Sequence, residues 1–89
     1  MVNRAFLISG RVQGVFFRDS TKKEALKLGL QGSAVNQSDG RVKVCLRGES
    51  EDIDLLERWL HKGPELARVE SVIEVDIDQQ LELNGFKVG

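Results

Sequence analysis

A single cysteine, Cys45, excludes an internal disulfide from this chain of 89 residues and leaves no thiolate cluster to hold a metal. With His61 as the only histidine, zinc also has too few ligands. Tyrosine is absent, and Trp59 and four phenylalanines are the only aromatic residues. An excess of one charge is missing too. Thirteen basic residues face fourteen acidic ones, a formal net charge of −1, so no overall positive field recruits nucleic acid or an anionic membrane. Any anion site must therefore be local. The first twelve residues hold only a short uncharged run from Ala5 to Ser9, too short for a signal-peptide core or a membrane span, and a cytoplasmic protein is expected. What is present is ordinary for a soluble globule, with 40% apolar and 30% charged residues. A chain of this length suits one compact domain over residues 1–89, burying roughly 60–65% of the surface its unfolded form exposes.

Residues 4–12, RAFLISGRV, are short and β-prone, with Phe6 and Ile8 on one face and Ala5, Leu7, Ser9 and Arg11 on the other. Both faces are partly apolar, so the pattern leaves the core side open. From Arg18 to Leu28 helix formers take over, Phe17, Thr21, Ala25 and Leu28 share a face, and Gly29 ends the helix. Residues 31–37 and 41–47 flank Ser38-Asp39-Gly40, a tight connection in which Gly40 supplies the positive φ of an antiparallel hairpin. The second of these strands alternates, with Val42, Val44 and Leu46 against Arg41, Lys43, Cys45 and Arg47, which predicts one wet sheet face. On that face the cations are expected to complement Glu70 and Glu74 across strands.

Ser50 reads as the N-cap of a second helix, with Glu51 and Asp52 in its first turn and an apolar stripe of Ile53, Leu55, Leu56, Trp59 and Leu60. Gly63-Pro64 stops it. Residues 68–77 alternate as Val69, Ser71, Ile73, Val75 and Ile77 against Glu70, Val72, Glu74 and Asp76, and a short last strand is expected at Phe86 to Val88. The order strand, helix, strand, strand, helix, strand is that of an α+β, ferredoxin-like βαββαβ sandwich, an antiparallel sheet with two helices packed on one face.

The stretch GRVQGVFFRDS, residues 10–20, is the most informative. A glycine-punctuated turn that runs into a helix leaves backbone N–H groups unpaired beside the positive end of the helix dipole. Arg18 at the rim adds a guanidinium fork able to grip two phosphate oxygens. The physical reading is a phosphate pocket, and the plain alternative is a strand-to-helix turn with a surface arginine.

GRVQGVFFR strongly resembles the strand-loop-helix motif of the acylphosphatase family. LGLQG at 28–32, Asn36, Asp39-Gly40, Gly63-Pro64 with Ala67 and Val69 behind it, and Phe86 also fall at family positions, so the resemblance covers nearly the whole chain. It implies an enzyme that hydrolyses carboxyl-phosphate anhydrides to a carboxylate and inorganic phosphate. In that scheme Arg18 and the loop N–H groups of Val15, Phe16, Phe17 and Arg18 bind the phosphoryl group, and Asn36 orients the attacking water. No cofactor, metal or covalent intermediate belongs to it, and a monomer with a small-molecule acyl phosphate is expected. Two positions depart from the family pattern. Phe16 stands where many members have glycine, although phenylalanine also occurs there among relatives, and Ser33 where many carry a large aromatic, which is expected to loosen packing near Asn36.

His61, Cys45 and Trp59 have structural readings, as a helix-end cation, a bystander thiol and a core aromatic. The basic strand face supports a competing RNA-binding reading, but that face shows no aromatic on which a base could stack. A catalytically silent anion-binding domain of the same type is the third alternative.

Overall fold

The computed structural model describes all residues, Met1 to Gly89. Its elements are β1 (Val2–Arg11), α1 (Phe17–Lys27), β2 (Gln31–Asn36), β3 (Val42–Gly48), α2 (Ser50–Lys62), β4 (Arg68–Val75) and β5 (Phe86–Val88). The sheet order is β4-β1-β3-β2-β5. β1 lies antiparallel to both β3 and β4, and β3 antiparallel to β2. β5 joins the outer edge of β2 in parallel, which makes the sheet mixed instead of purely antiparallel. The βαββαβ sandwich expected from the pattern is thus present. No helix is long and apolar enough to cross a membrane.

The core lies between the helices and one sheet face, and it settles the side of β1 that alternation left open. Phe6 and Ile8 pair with Val44 and Val42, and all four are fully buried beneath Phe17, Ala25, Ile53, Leu56 and Leu60. Each large apolar side chain so buried is worth about 1.5–3 kcal/mol relative to exposure. Thr21 joins the buried face of α1 because its hydroxyl donates to Phe17 O at 2.8 Å. Trp59 is half-buried at the rim of the core, its ring 5.9 Å from that of Phe17, while Leu55 of the expected stripe points to solvent. The cap of α2 is Glu49, with Ser50 already helical.

Two expectations about the sheet fail for topological reasons. In β4 the alternation is broken by a bulge: Ile8 pairs with Val72 and Ser9 with Ser71, but Gly10 pairs with Val69, so Glu70 is the extra residue. Val69 and Val72 therefore both pack on the core, and Ile73 is 53% exposed. Gly10 makes the bulge possible, since at its φ of +122° a Cβ would lie 2.2 Å from Arg68 O.

The expected wet face is the other exception. β4 and β5 occupy opposite edges, so residues 76–85 must cross four strand spacings of about 4.8 Å each. This connection covers Asn3, whose Nδ2 donates to Asp78 O at 3.0 Å and to Leu81 O at 2.8 Å, and Asn3 and Ala5 are buried as a result. Arg47 donates to Asn3 Oδ1 and Arg41 pairs with Asp39, so neither meets Glu70 or Glu74, which lie on β4, separated from β3 by β1.

Glu74 instead shares the helix face with Arg4. The Arg4 guanidinium spans the Glu74 carboxylate at 2.9 and 2.8 Å, reaches Asp54 at 2.6 Å and Glu57 at 3.1 Å, and lies 5.2 Å from the Phe6 ring centroid. Hydrogen bonding to Arg4 holds the Glu74 carboxyl below its ordinary value. A carboxyl lowered on folding stabilises above its unfolded pKa, and that contribution is lost as pH falls through the folded value. Glu74→Gln is expected to cost about 0.5–1 kcal/mol at neutral pH, the range of pairs left partly in water. Urea unfolding should show the difference from wild type closing as pH falls through the lowered carboxyl value.

Candidate active site

The loop between β1 and α1 is shaped by where its apolar side chains go. Val12, Val15 and Phe17 are buried in the core, while Gly14 and Phe16 between them are exposed. Anchoring alternate side chains inward turns the intervening backbone outward. Gly14 (φ +74°) and Phe16 (φ +62°) both adopt the left-handed conformation, so successive N–H groups converge in a concave nest. None of the N–H groups of Val15, Phe16, Phe17, Arg18 and Asp19 finds an acceptor in the chain, and the first bond of the turn is Ser20 N–H to Phe16 O at 3.0 Å. These donors stand at the N-terminus of α1, where the helix dipole favours an anion.

A pocket of about 290 Å³ opens here, lined by Val12, Gly14, Phe16, Phe17, Arg18, Asp19 and Val88. Arg18 is its only cation. The Arg18 Nη1 donates to Gly89 O, which tethers the guanidinium and leaves Nε and Nη2 without a partner in the chain. The same Gly89 oxygen accepts the backbone N–H of Asn36 at 3.1 Å, and Gly89 N–H donates to Ala34 O at 3.0 Å. The Arg18 side chain and the Asn36 backbone N–H thus meet on one oxygen, although Asn36 is not among the residues lining the pocket.

Asn36 is the last residue of β2, pairs with Val42 and shares the helix-side face with Ala34. Its Oδ1 is buried and accepts no hydrogen bond. A buried polar atom left in that state costs on the order of 1–3 kcal/mol, which calls for a compensating partner. Ser33, three residues earlier, necessarily faces the other side, opposite Cys45 and Lys87. It does not pack near Asn36, contrary to expectation.

Gln13 is the residue whose part the sequence did not signal. Its Nε2 donates to Gln37 O at 2.9 Å and to Arg41 O at 3.0 Å, which pins the loop to the hairpin whose first strand ends in Asn36. Its position inside GRVQGVFFR was the only available trace. Nowhere do three or more His, Cys, Asp or Glu side chains gather in a way that could hold a metal ion.

Comparison with known proteins places the chain in a family. The acylphosphatase family model matches residues 4–88. An acylphosphatase of Alkalilimnicola ehrlichii is 48% identical over 86 residues, covering 97% of this chain and 96% of the relative. One from Thermus thermophilus is 49% identical over 82 residues, covering 92% of each. The solved structure of an acylphosphatase from Coxiella burnetii superposes with a TM-score of 0.91 at 38% identity, over 99% of this chain and 92% of that one. With its fold and nearly its whole length in common with these proteins, the chain belongs to the acylphosphatase family.

Proposed function

We propose that this acylphosphatase cleaves the carboxyl-phosphate anhydride by direct in-line attack of water on phosphorus, without a metal ion. The observation that carries this reading is the run of unpaired N–H groups from Val15 to Asp19 converging beside the Arg18 guanidinium. The N–H groups of Val15, Phe16, Phe17 and Arg18 take the phosphoryl oxygens, and the free Nε and Nη2 of Arg18 close on two of them as a planar fork. Asn36 Oδ1, buried and unpartnered, accepts a hydrogen bond from the attacking water. The water oxygen bonds to phosphorus as the bond from phosphorus to the acyl oxygen breaks, and the electron pair leaves with the carboxylate. A phosphoryl oxygen takes the proton of the water. The leaving carboxylate is a weak base, so positioning and charge stabilisation suffice without a strong acid or a nucleophilic side chain.

The chain is read as one domain over residues 1–89, monomeric and cytoplasmic, with no nucleic-acid partner. The sheet face away from the helices supports that last point, since residues 76–85 cover part of it and its residues along β1 and β3, from Asn3, Ala5 and Leu7 to Lys43, Cys45 and Arg47, include no aromatic for a base to stack on.

Hydrolysis of benzoyl phosphate by the purified protein tests the reaction, followed with and without EDTA. The expected rate is the same in both, and inorganic phosphate inhibits competitively because the cradle recognises a tetrahedral oxyanion. Activity lost on chelation and restored by a divalent ion would overturn the metal-free route.

A further inference from the structure

The pocket offers two kinds of chemistry, and phosphoryl binding uses only one. The cradle N–H groups and Arg18 serve an anion, whereas the exposed apolar side chains of the lining are Phe16 and Val88. At about 290 Å³ the pocket stands near the lower limit of small-molecule sites, roughly 300–1,000 Å³, with room beyond the phosphoryl group.

Phe16 is the anomalous member of this lining. The residue is 73% exposed, although aromatic side chains gain more from burial than almost any other. Its φ of +62° is a conformation that bulky residues rarely adopt. A glycine or asparagine would meet the same backbone demand with less strain, and a polar side chain would meet the exposure. The loop therefore does not require phenylalanine here. Val88, 38% exposed, lines the same pocket, so two exposed apolar groups belong to its lining. The remaining side chain is Asp19, a carboxylate that repels a second anion once Arg18 is committed to phosphate.

Given that the cradle holds the phosphoryl group, we propose that Phe16 is a specificity-determining residue. With Val88 it forms an apolar seat for the acyl part of the substrate. The enzyme then favours acyl phosphates whose acyl group is uncharged and apolar, aromatic ones most, because an aryl group can pack on the Phe16 ring.

The test compares kcat/KM for benzoyl phosphate and acetyl phosphate in the wild type, Phe16→Asn and Phe16→Tyr. Asparagine tolerates the left-handed backbone and removes the ring. The ratio of the two kcat/KM values is the readout, because a disturbance of the cradle falls on both substrates alike. Phe16→Asn is expected to lower the benzoyl-to-acetyl ratio by about five- to tenfold, mainly through the KM of benzoyl phosphate, and Phe16→Tyr to preserve it. A ratio unchanged in Phe16→Asn, or lost equally in Phe16→Tyr, overturns the seat while leaving phosphoryl binding intact. Failure of the underlying reading looks different: neither substrate is turned over, phosphate does not bind, and the seat falls with it.

Discussion

Alanine at position 18 is expected to remove measurable turnover, lowering kcat/KM by at least about three orders of magnitude, the scale seen when an arginine that meets transition-state charge is deleted. The reason is geometric as much as electrostatic. Arg18 is the only cation lining the pocket, and its Nη1 contact with Gly89 O tethers the arm while Nε and Nη2 keep no partner in the chain. Lysine would keep the charge but supply a point donor on a flexible stem, with neither the fork nor the tether, so Arg18→Lys should recover little. Inhibition by inorganic phosphate should weaken in both variants, because ground state and transition state share the phosphoryl oxygens. The fold should tolerate the change, with an unfolding free energy lowered by about 1 kcal/mol for the lost hydrogen bond to β5's neighbour Gly89. The decisive measurement is benzoyl phosphate hydrolysis by Arg18→Lys: near-normal rates would show that charge alone suffices.

How much of this could be read from residues alone depends on how local the cause is. The stripe of α2 and the alternation of β3 were legible because each packs on one layer with an unbroken period, and Val42, Val44, Leu46, Ile53, Leu56 and Leu60 are all fully buried. The same reasoning misplaced Val72 and Ile73, since a period of two assumes no inserted residue and the bulge at Gly10 inserts one. Burial of Asn3 and Ala5 had no local signal either. It follows from β4 and β5 lying at opposite edges, which sends residues 76–85 across the sheet.

At the site, the loop and Arg18 were legible as a contiguous run, whereas Asn36 entered only through the family resemblance. The tethers that organise the site are long-range: Gln13 to Arg41 spans 28 positions and Arg18 to Gly89 spans 71. No window along the chain contains such pairs. The left-handed conformation of Phe16 is equally invisible in sequence, because nothing in the residue itself favours it.

Asn36→Ala separates the holding of water from the holding of phosphate. An ordinary hairpin-flanking asparagine spends its side chain on local hydrogen bonds, yet Asn36 Oδ1 is buried and makes none, while its backbone N–H is already satisfied by Gly89. Its direction is set by the pleat of β2, which turns it toward the face that carries α1 and the loop. An acceptor fixed in that way can hold a water for attack without touching the phosphoryl oxygens. Alanine is therefore expected to lower kcat by about two to three orders of magnitude, the usual loss on deleting one preorganised polar group, with the phosphate inhibition constant nearly unchanged. Stability should hold or rise slightly, because the substitution removes an unsatisfied buried oxygen. That opposition is what makes the experiment decisive: a structural asparagine would show the reverse, a lower unfolding midpoint with turnover largely kept. A fall in kcat of less than about fivefold, or one that thermal unfolding accounts for, would leave Asn36 a structural residue and return the placement of the attacking water to the loop.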